Sequence, residues 1–133
     1  MDGRVVDASV LAALLFGEPK AAEAEMLLQN QMLIAPSLLK YELTQVAVKK
    51  VAIHPQKKIL MFEALSLINS LDIQWVEVEA LEVAKLAINE DITAYDASYL
   101  ALAQRLNLRA LSGDGKLARA LGYPDQIVLL AVE

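Results

Sequence analysis

A chain of 133 residues that is 56% hydrophobic and 22% charged is long enough to bury one core and too apolar to be a disordered segment. The absence of cysteine excludes a disulfide framework, thiol catalysis and zinc–thiolate sites. A net charge of −5 speaks at first against a nucleic-acid partner, yet setting four of the 17 acids aside in a metal site leaves 13 against 12 Lys and Arg.

"RVVD" (4–7) is a short β-branched run that reads as a buried strand, followed by the helical "ASVLAALLF". "GEPKAAEAEMLLQNQ" has Pro19 where a helix's first turn accepts it, and its helix is expected to run to about Gln31. "MLIA" (32–35) is a second strand. Two helices, "PSLLKYELTQVAVKKVAI" and "PQKKILMFEALSLINSL", each begin with a proline, Pro36 and Pro55. "IQWVEV" (73–78) alternates and is a strand. "EALEVAKLAINE" and "TAYDASYLALAQRL" are helices, "RALS" (109–112) a strand, "GKLARALG" a short helix ending at Gly122, and "QIVLLAV" a last strand.

Strands alternating with helices in this way predict an α/β fold: three layers, α/β/α, around a mostly parallel sheet of four to five strands. No repeat, low-complexity tract or linker interrupts the chain, so residues 1–133 read as a single domain. Apolar runs such as "SVLAALLF" and "IVLLAV" are too short to span a bilayer. "MDGRVVD" lacks a signal peptide's basic and apolar regions, and the expected address is the cytoplasm.

Ligand sites of parallel sheets lie beyond the carboxyl ends of the strands. Asp7 closes the first strand, and Asp114 follows "RALS" by one glycine. Either could equally cap the helix that follows it. Glu42, four residues from Leu38 and Val46, borders an apolar stripe; its plain explanation is an edge glutamate paired with Lys49 or Lys50. Asp96 is the hardest to explain as structure. At about 100° per residue it falls among Ile92, Tyr99, Leu100, Ala103 and Leu106, with Ser98 and Arg105 on the wet side. A core-facing aspartate in mid-helix is costly unless paired or bound to a metal. Glu23, Glu25, Glu63, Glu79, Glu82 and Glu90 read as solvated faces.

Four carboxylates converging on one sheet edge would repel one another unless a cation neutralised them, and all-oxygen ligation suits Mg²⁺ or Mn²⁺. Competing chemistries are poorly supplied. His54, before Pro55, reads as a surface residue, and no phosphate-binding glycine loop or G-x-S-x-G elbow is present.

"VVDASVLAALLFGE", "APSLLKYEL", "TAYDASYLALAQRL" and "LSGDGKLARAL", in that order, resemble the PIN-domain family, and within it the VapC-like toxins of prokaryotic toxin–antitoxin pairs. The resemblance covers nearly the whole chain, and the "YDASYLALA" block is its most specific part. It implies a Mg²⁺- or Mn²⁺-dependent endoribonuclease in which metal-activated water cleaves a phosphodiester to a 5′-phosphate and a 3′-hydroxyl. Carried over by position, the family's acidic quartet falls on Asp7, Glu42, Asp96 and Asp114. Asp7, Asp96 and Asp114 are then the expected metal set, while Glu42 and Asp114 hold metal-bound waters, one of the two helping to deprotonate the nucleophile. Ser112 matches a small hydroxyl residue that is more often threonine, and Ser9 a small polar position. The extra acid that some members carry near the last aspartate is missing from "GKLA", which puts a second metal in doubt.

The resemblance further implies an RNA substrate, a homodimer and a small antitoxin partner. Lys40, Lys49, Lys50, Arg105, Lys116 and Arg119 are the basic residues available to contact RNA, against a plainer reading of each as solubilising surface. The helices at 36–53 and 55–71, with Met61, Phe62 and Leu65, could supply the dimer face or be ordinary core. Two other readings stand further off. A phosphatase or phospho-receiver would want an Asp-x-Asp or paired acids where "DAS" stands, and a non-catalytic PIN-like binding module would have no need of the four acids.

Overall fold

The computed structural model describes residues 2–112 and 127–129. Five strands, β1 (Asp2–Val6), β2 (Gln31–Pro36), β3 (Ile73–Val76), β4 (Arg109–Ser112) and β5 (Ile127–Leu129), form one sheet in the order β3-β2-β1-β4-β5. Every pair is parallel. β1 runs centrally, with Val5 and Val6 wholly buried, as its β-branched sequence requires.

Among the described residues six helices connect β1 to β4: α1 (Ala8–Leu15), α2 (Ala21–Leu28), α3 (Leu38–Ile53), α4 (Lys58–Ser66), α5 (Ala80–Glu90) and α6 (Ala94–Leu106). The chain winds outward from β1 to β2 to β3, then returns past β1 to β4. Right-handed crossovers therefore put α1 to α4 on one face and α5 and α6 on the other. The packing agrees: α1 meets α2 and α3, α3 meets α4, and α6 lies on β1, β2 and β4 with α5 against it. Leu11, Leu39, Leu43, Leu100 and Leu102 fill the two interfaces. Among the described residues no helix is long and apolar enough to cross a membrane.

Several boundaries differ from the sequence reading. α2 begins after Pro19 and stops at Leu28, because Asn30 takes a left-handed φ of 59° and turns the chain into β2. Pro36 ends β2 rather than opening α3, and Pro55 opens a short 3-10 turn (Pro55–Lys57) before α4. Gly17, at φ 62°, closes α1 in a conformation that glycine adopts without strain. The helix expected at 115–122 lies outside the described residues.

The order of strands reverses between β1 and β4. In an open parallel sheet that reversal leaves a crevice at the carboxyl ends of the two strands, since the following connections leave in opposite directions. Asp7 stands at the end of β1, one residue beyond the Val6–Leu111 pair, which sets it level with Ser112 at the end of β4.

Candidate active site

Asp7 is buried and caps α1: its Oδ1 accepts the Val10 N–H at 3.2 Å and the Ser9 hydroxyl at 2.5 Å. The capping role, one of the two that sequence alone left open, is made, and it does not take Asp7 away from the sheet's carboxyl edge. One oxygen serves the helix terminus, and the carboxylate still stands at the switch point of the sheet. Ser9 is thereby a positioning partner of Asp7 while remaining exposed to solvent.

Glu42 comes from the second turn of α3. This helix starts directly after β2, so its first turns hang over the same carboxyl edge. Asp96 comes from the first turn of α6, which runs back toward the amino edge where β4 begins. Thr93 caps α6 by accepting the Asp96 N–H at 3.1 Å. Asp96 is thus not a mid-helix residue, as the periodicity suggested; it is the third residue of α6 and half-buried at the mouth of the crevice. An acid in a first turn is favoured by the helix dipole, which removes part of the cost that the sequence implied.

Glu42 senses the other two acids. Burial pushes the Glu42 carboxyl above the ordinary glutamate range; a hydrogen bond donated by the Tyr99 hydroxyl pulls it back, and the charges of Asp7 and Asp96 push it up again. Tyr99 is itself pushed up, first by burial, then by its bond to Glu42 and the surrounding negative charge. Among the described residues no three His, Asp or Glu side chains form a ready-made metal-binding group. The expected metal set includes Asp114, which lies outside the described residues, as do Lys116 and Arg119. What is described is a trio of carboxylates in electrostatic reach, with no thiol or imidazole among them. That all-oxygen donor chemistry fits Mg²⁺ or Mn²⁺, and the repulsion that Asp7 and Asp96 add to the effect of burial on Glu42 is what a cation would relieve.

Tyr99 is the residue that sequence reading missed. Periodicity places it with the core, and the residue is indeed 4% exposed. Its hydroxyl, however, reaches from α6 to Oε1 of Glu42 on α3, joining the two helix layers around the sheet's end. The available signal was that a buried tyrosine needs a partner for its hydroxyl. Glu42 is therefore not the lysine-paired edge residue of its plain explanation. Ser98, expected on the wet side, is buried and donates to the Tyr95 carbonyl at 2.6 Å, while Leu106, expected in the core, is 39% exposed.

The basic residues separate. Lys49 lines a hollow of about 470 Å³ together with Ala8, Glu42 and Tyr95, and Lys49 and Lys50 both line its neighbour of about 390 Å³ with Ser9 and Glu18. Lys40 instead lies over the Trp75 ring at 4.5 Å. Arg105 sits in the last turn of α6, roughly 13 Å along the helix from Asp96 and toward the opposite edge. His54 is exposed, as expected.

A parallel sheet with acids gathered at its switch point defines the class, and comparison gives the family. The model of the PIN domain matches residues 4–121, and the chain belongs to that family. It is 33% identical over 125 residues to Ribonuclease VapC3 of Pyrobaculum aerophilum, spanning 86% of this chain and 91% of that one. The crystal structure of PAE2754 from Pyrobaculum aerophilum superposes with a TM-score of 0.75 at 22% identity, covering 97% of this chain and 90% of the other. A toxin–antitoxin complex from Klebsiella pneumoniae contains a chain with a TM-score of 0.64 at 19% identity, covering 98% and 99%. At those identities the two structures speak for the shared fold.

Proposed function

We propose that this chain is a divalent-metal-dependent endoribonuclease, the toxin of a toxin–antitoxin pair acting in the cytoplasm. The observation that carries the reading is the convergence of Asp7, Glu42 and Asp96 at the carboxyl edge beside β1. A glutamate pushed up by burial and by two neighbouring carboxylates is a costly arrangement for structure alone. The VapC3 relative is named a ribonuclease, which supports the same activity here.

Asp7 and Asp96, with Asp114 as the expected third donor, would hold Mg²⁺ or Mn²⁺. When bound, such an ion neutralises charge on the phosphoryl oxygens and makes water more acidic. The chain's own groups do the rest. Ser9 and the α1 N-terminus fix the Asp7 carboxylate. Tyr99 fixes Glu42 through Oε1, leaving Oε2 to take a proton from the attacking water, and the upward shift of Glu42 suits it to that task. Lys49 and Lys50 supply positive charge for the RNA backbone.

A small antitoxin protein is the proposed partner, supported by the likeness to a chain of a toxin–antitoxin complex. A homodimer is supported by the outer face of α4, where Ile59, Leu60 and Phe62 are exposed while Met61 is core. The decisive experiment is calorimetric Mn²⁺ binding to the wild type and to Asp96→Asn, followed by incubation with mixed structured RNAs. Loss of both binding and cleavage in a folded variant is expected. A wild type that binds no divalent ion at millimolar concentration would sink the reading.

A further inference from the structure

Two exposed aromatic rings flank the carboxylates. Tyr41, one residue before Glu42 on α3, is 73% exposed, and Tyr95, one residue before Asp96 on α6, is 60% exposed. Both line the same hollow of about 470 Å³ as Glu42 and Lys49. Tyr95 also lines the adjoining hollow formed with Ser37, Val78 and Ala94. From Lys49 the groove continues between α1 and α3 past Ser9, Lys50 and Ile53.

An exposed tyrosine needs no explanation by itself. Here each ring immediately precedes an acid of the site, the two come from opposite helix layers, and both border one cleft that is otherwise made of small, aliphatic and polar side chains. We propose that Tyr41 and Tyr95 are base-stacking residues that grip unpaired nucleotides on either side of the scissile phosphate, while Lys49 and Lys50 follow the backbone along the α1–α3 groove. Tyrosine faces stack on any base, and such stacking is open only to nucleotides already out of a duplex. Selection of unpaired RNA then comes from geometry rather than from a base-specific hydrogen-bond code. The two lysines favour a polyanionic strand over an antitoxin peptide as the occupant that these rings serve.

This inference rests on the ribonuclease reading, and its test separates the two. Glu42→Gln protein, full length and with Mn²⁺, is titrated with a fluorescently labelled unstructured octaribonucleotide containing 2-aminopurine and, separately, with a blunt RNA duplex. The Glu42→Gln change slows cleavage during the titration. Tyr41→Ala and Tyr95→Ala are expected each to weaken single-strand binding about 5- to 100-fold and to abolish the quenching of 2-aminopurine. Tyr41→Phe and Tyr95→Phe should bind within about twofold of the parent, and duplex affinity should not change. Both tyrosines are exposed, so melting temperatures should stay close to the parent's.

Alanine variants that bind and quench like the parent overturn the inference. So do phenylalanine variants as weak as alanine, which would mean that hydroxyl contacts matter rather than stacking. Alanine variants that keep RNA affinity but lose the antitoxin overturn it as well, since the rings would then serve the protein partner. If wild-type protein with Mn²⁺ cleaves RNA while the alanine variants cleave equally well, only the stacking role fails. If wild type neither binds nor cleaves any RNA, the ribonuclease reading itself fails and the stacking role falls with it.

Discussion

The Tyr99 hydroxyl donates to Oε1 of Glu42, so a residue of α6 and a residue of α3 are tied together around the carboxyl end of the sheet. The bond acts on both structure and chemistry. It gives a buried phenol its acceptor, and it holds one carboxylate of the site in a fixed orientation within electrostatic reach of Asp7 and Asp96. Tyr99→Phe removes the donor and leaves a half-buried carboxylate without it. The expected outcome is a loss of about 1–3 kcal/mol in urea unfolding. NMR titration should show the Glu42 carboxyl moving further up, because the hydrogen bond that lowers it is gone.

That bond also shows where sequence reading stops. The strand–helix alternation, the parallel sheet and the position of Asp7 at the end of β1 were all legible, because β-branched runs and their spacing are local properties. α6 was only partly legible. Residues Ala97 to Ala103 are all buried, so the helix has no clean wet face over two turns, and a 100° projection assigns sides that do not exist. Small residues at Ala97, Ala101 and Ala103 let it lie close on the sheet, and Ser98 survives burial by bonding back to Tyr95. Which acid meets which partner across the sheet is set by crossover geometry, and no spacing within the chain encodes it.

Glu42 sets a sign for the dependence of stability on pH. Its carboxyl is raised above the usual value of 4.5, so the folded protein holds that proton more tightly than the unfolded chain. The associated stability is complete below pH 4.5 and is lost as pH rises through the folded value, remaining lower beyond it. Glu42→Gln keeps an acceptor for Tyr99 and removes the charge. Denaturant midpoints of variant and wild type should coincide near pH 4, and the variant should be the more stable at pH 8.

Asp7 has the observed capping role and a proposed metal-binding one, and different substitutions separate them. Asparagine still accepts from the Val10 N–H, so Asp7→Asn should unfold within about 0.5 kcal/mol of wild type while losing Mn²⁺ binding and cleavage. Asp7→Ala should lose those and in addition about 1 kcal/mol of stability, the usual cost of an emptied N-cap. Equal stability of the two variants in urea would show that the cap contributes nothing.

The lysines should divide by position rather than by charge. Lys49→Ala, in the groove beside Glu42, should weaken RNA binding and reduce the slope of log K against log salt by about 0.7, one phosphate contact on a single strand. Lys40→Ala should leave that slope unchanged, since its ammonium lies over Trp75. Arg105→Ala should do the same, because the last turn of α6 is directed toward the other edge of the sheet. Salt titrations of the three variants against one octaribonucleotide distinguish them.

Metal binding should appear as stability because the carboxylates are brought together only in the folded chain. A ligand held by the native state alone contributes about 2.7 kcal/mol at a hundred times its dissociation constant. Thermal unfolding should therefore shift upward on adding Mn²⁺ and return on adding EDTA. The shift should be largest above the pH at which Glu42 ionises, where repulsion among Asp7, Glu42 and Asp96 is strongest in the metal-free protein. Asp96→Asn should abolish the Mn²⁺ response. A Mn²⁺ shift that survives in Asp96→Asn would show that Asp96 is not among the residues that hold the ion.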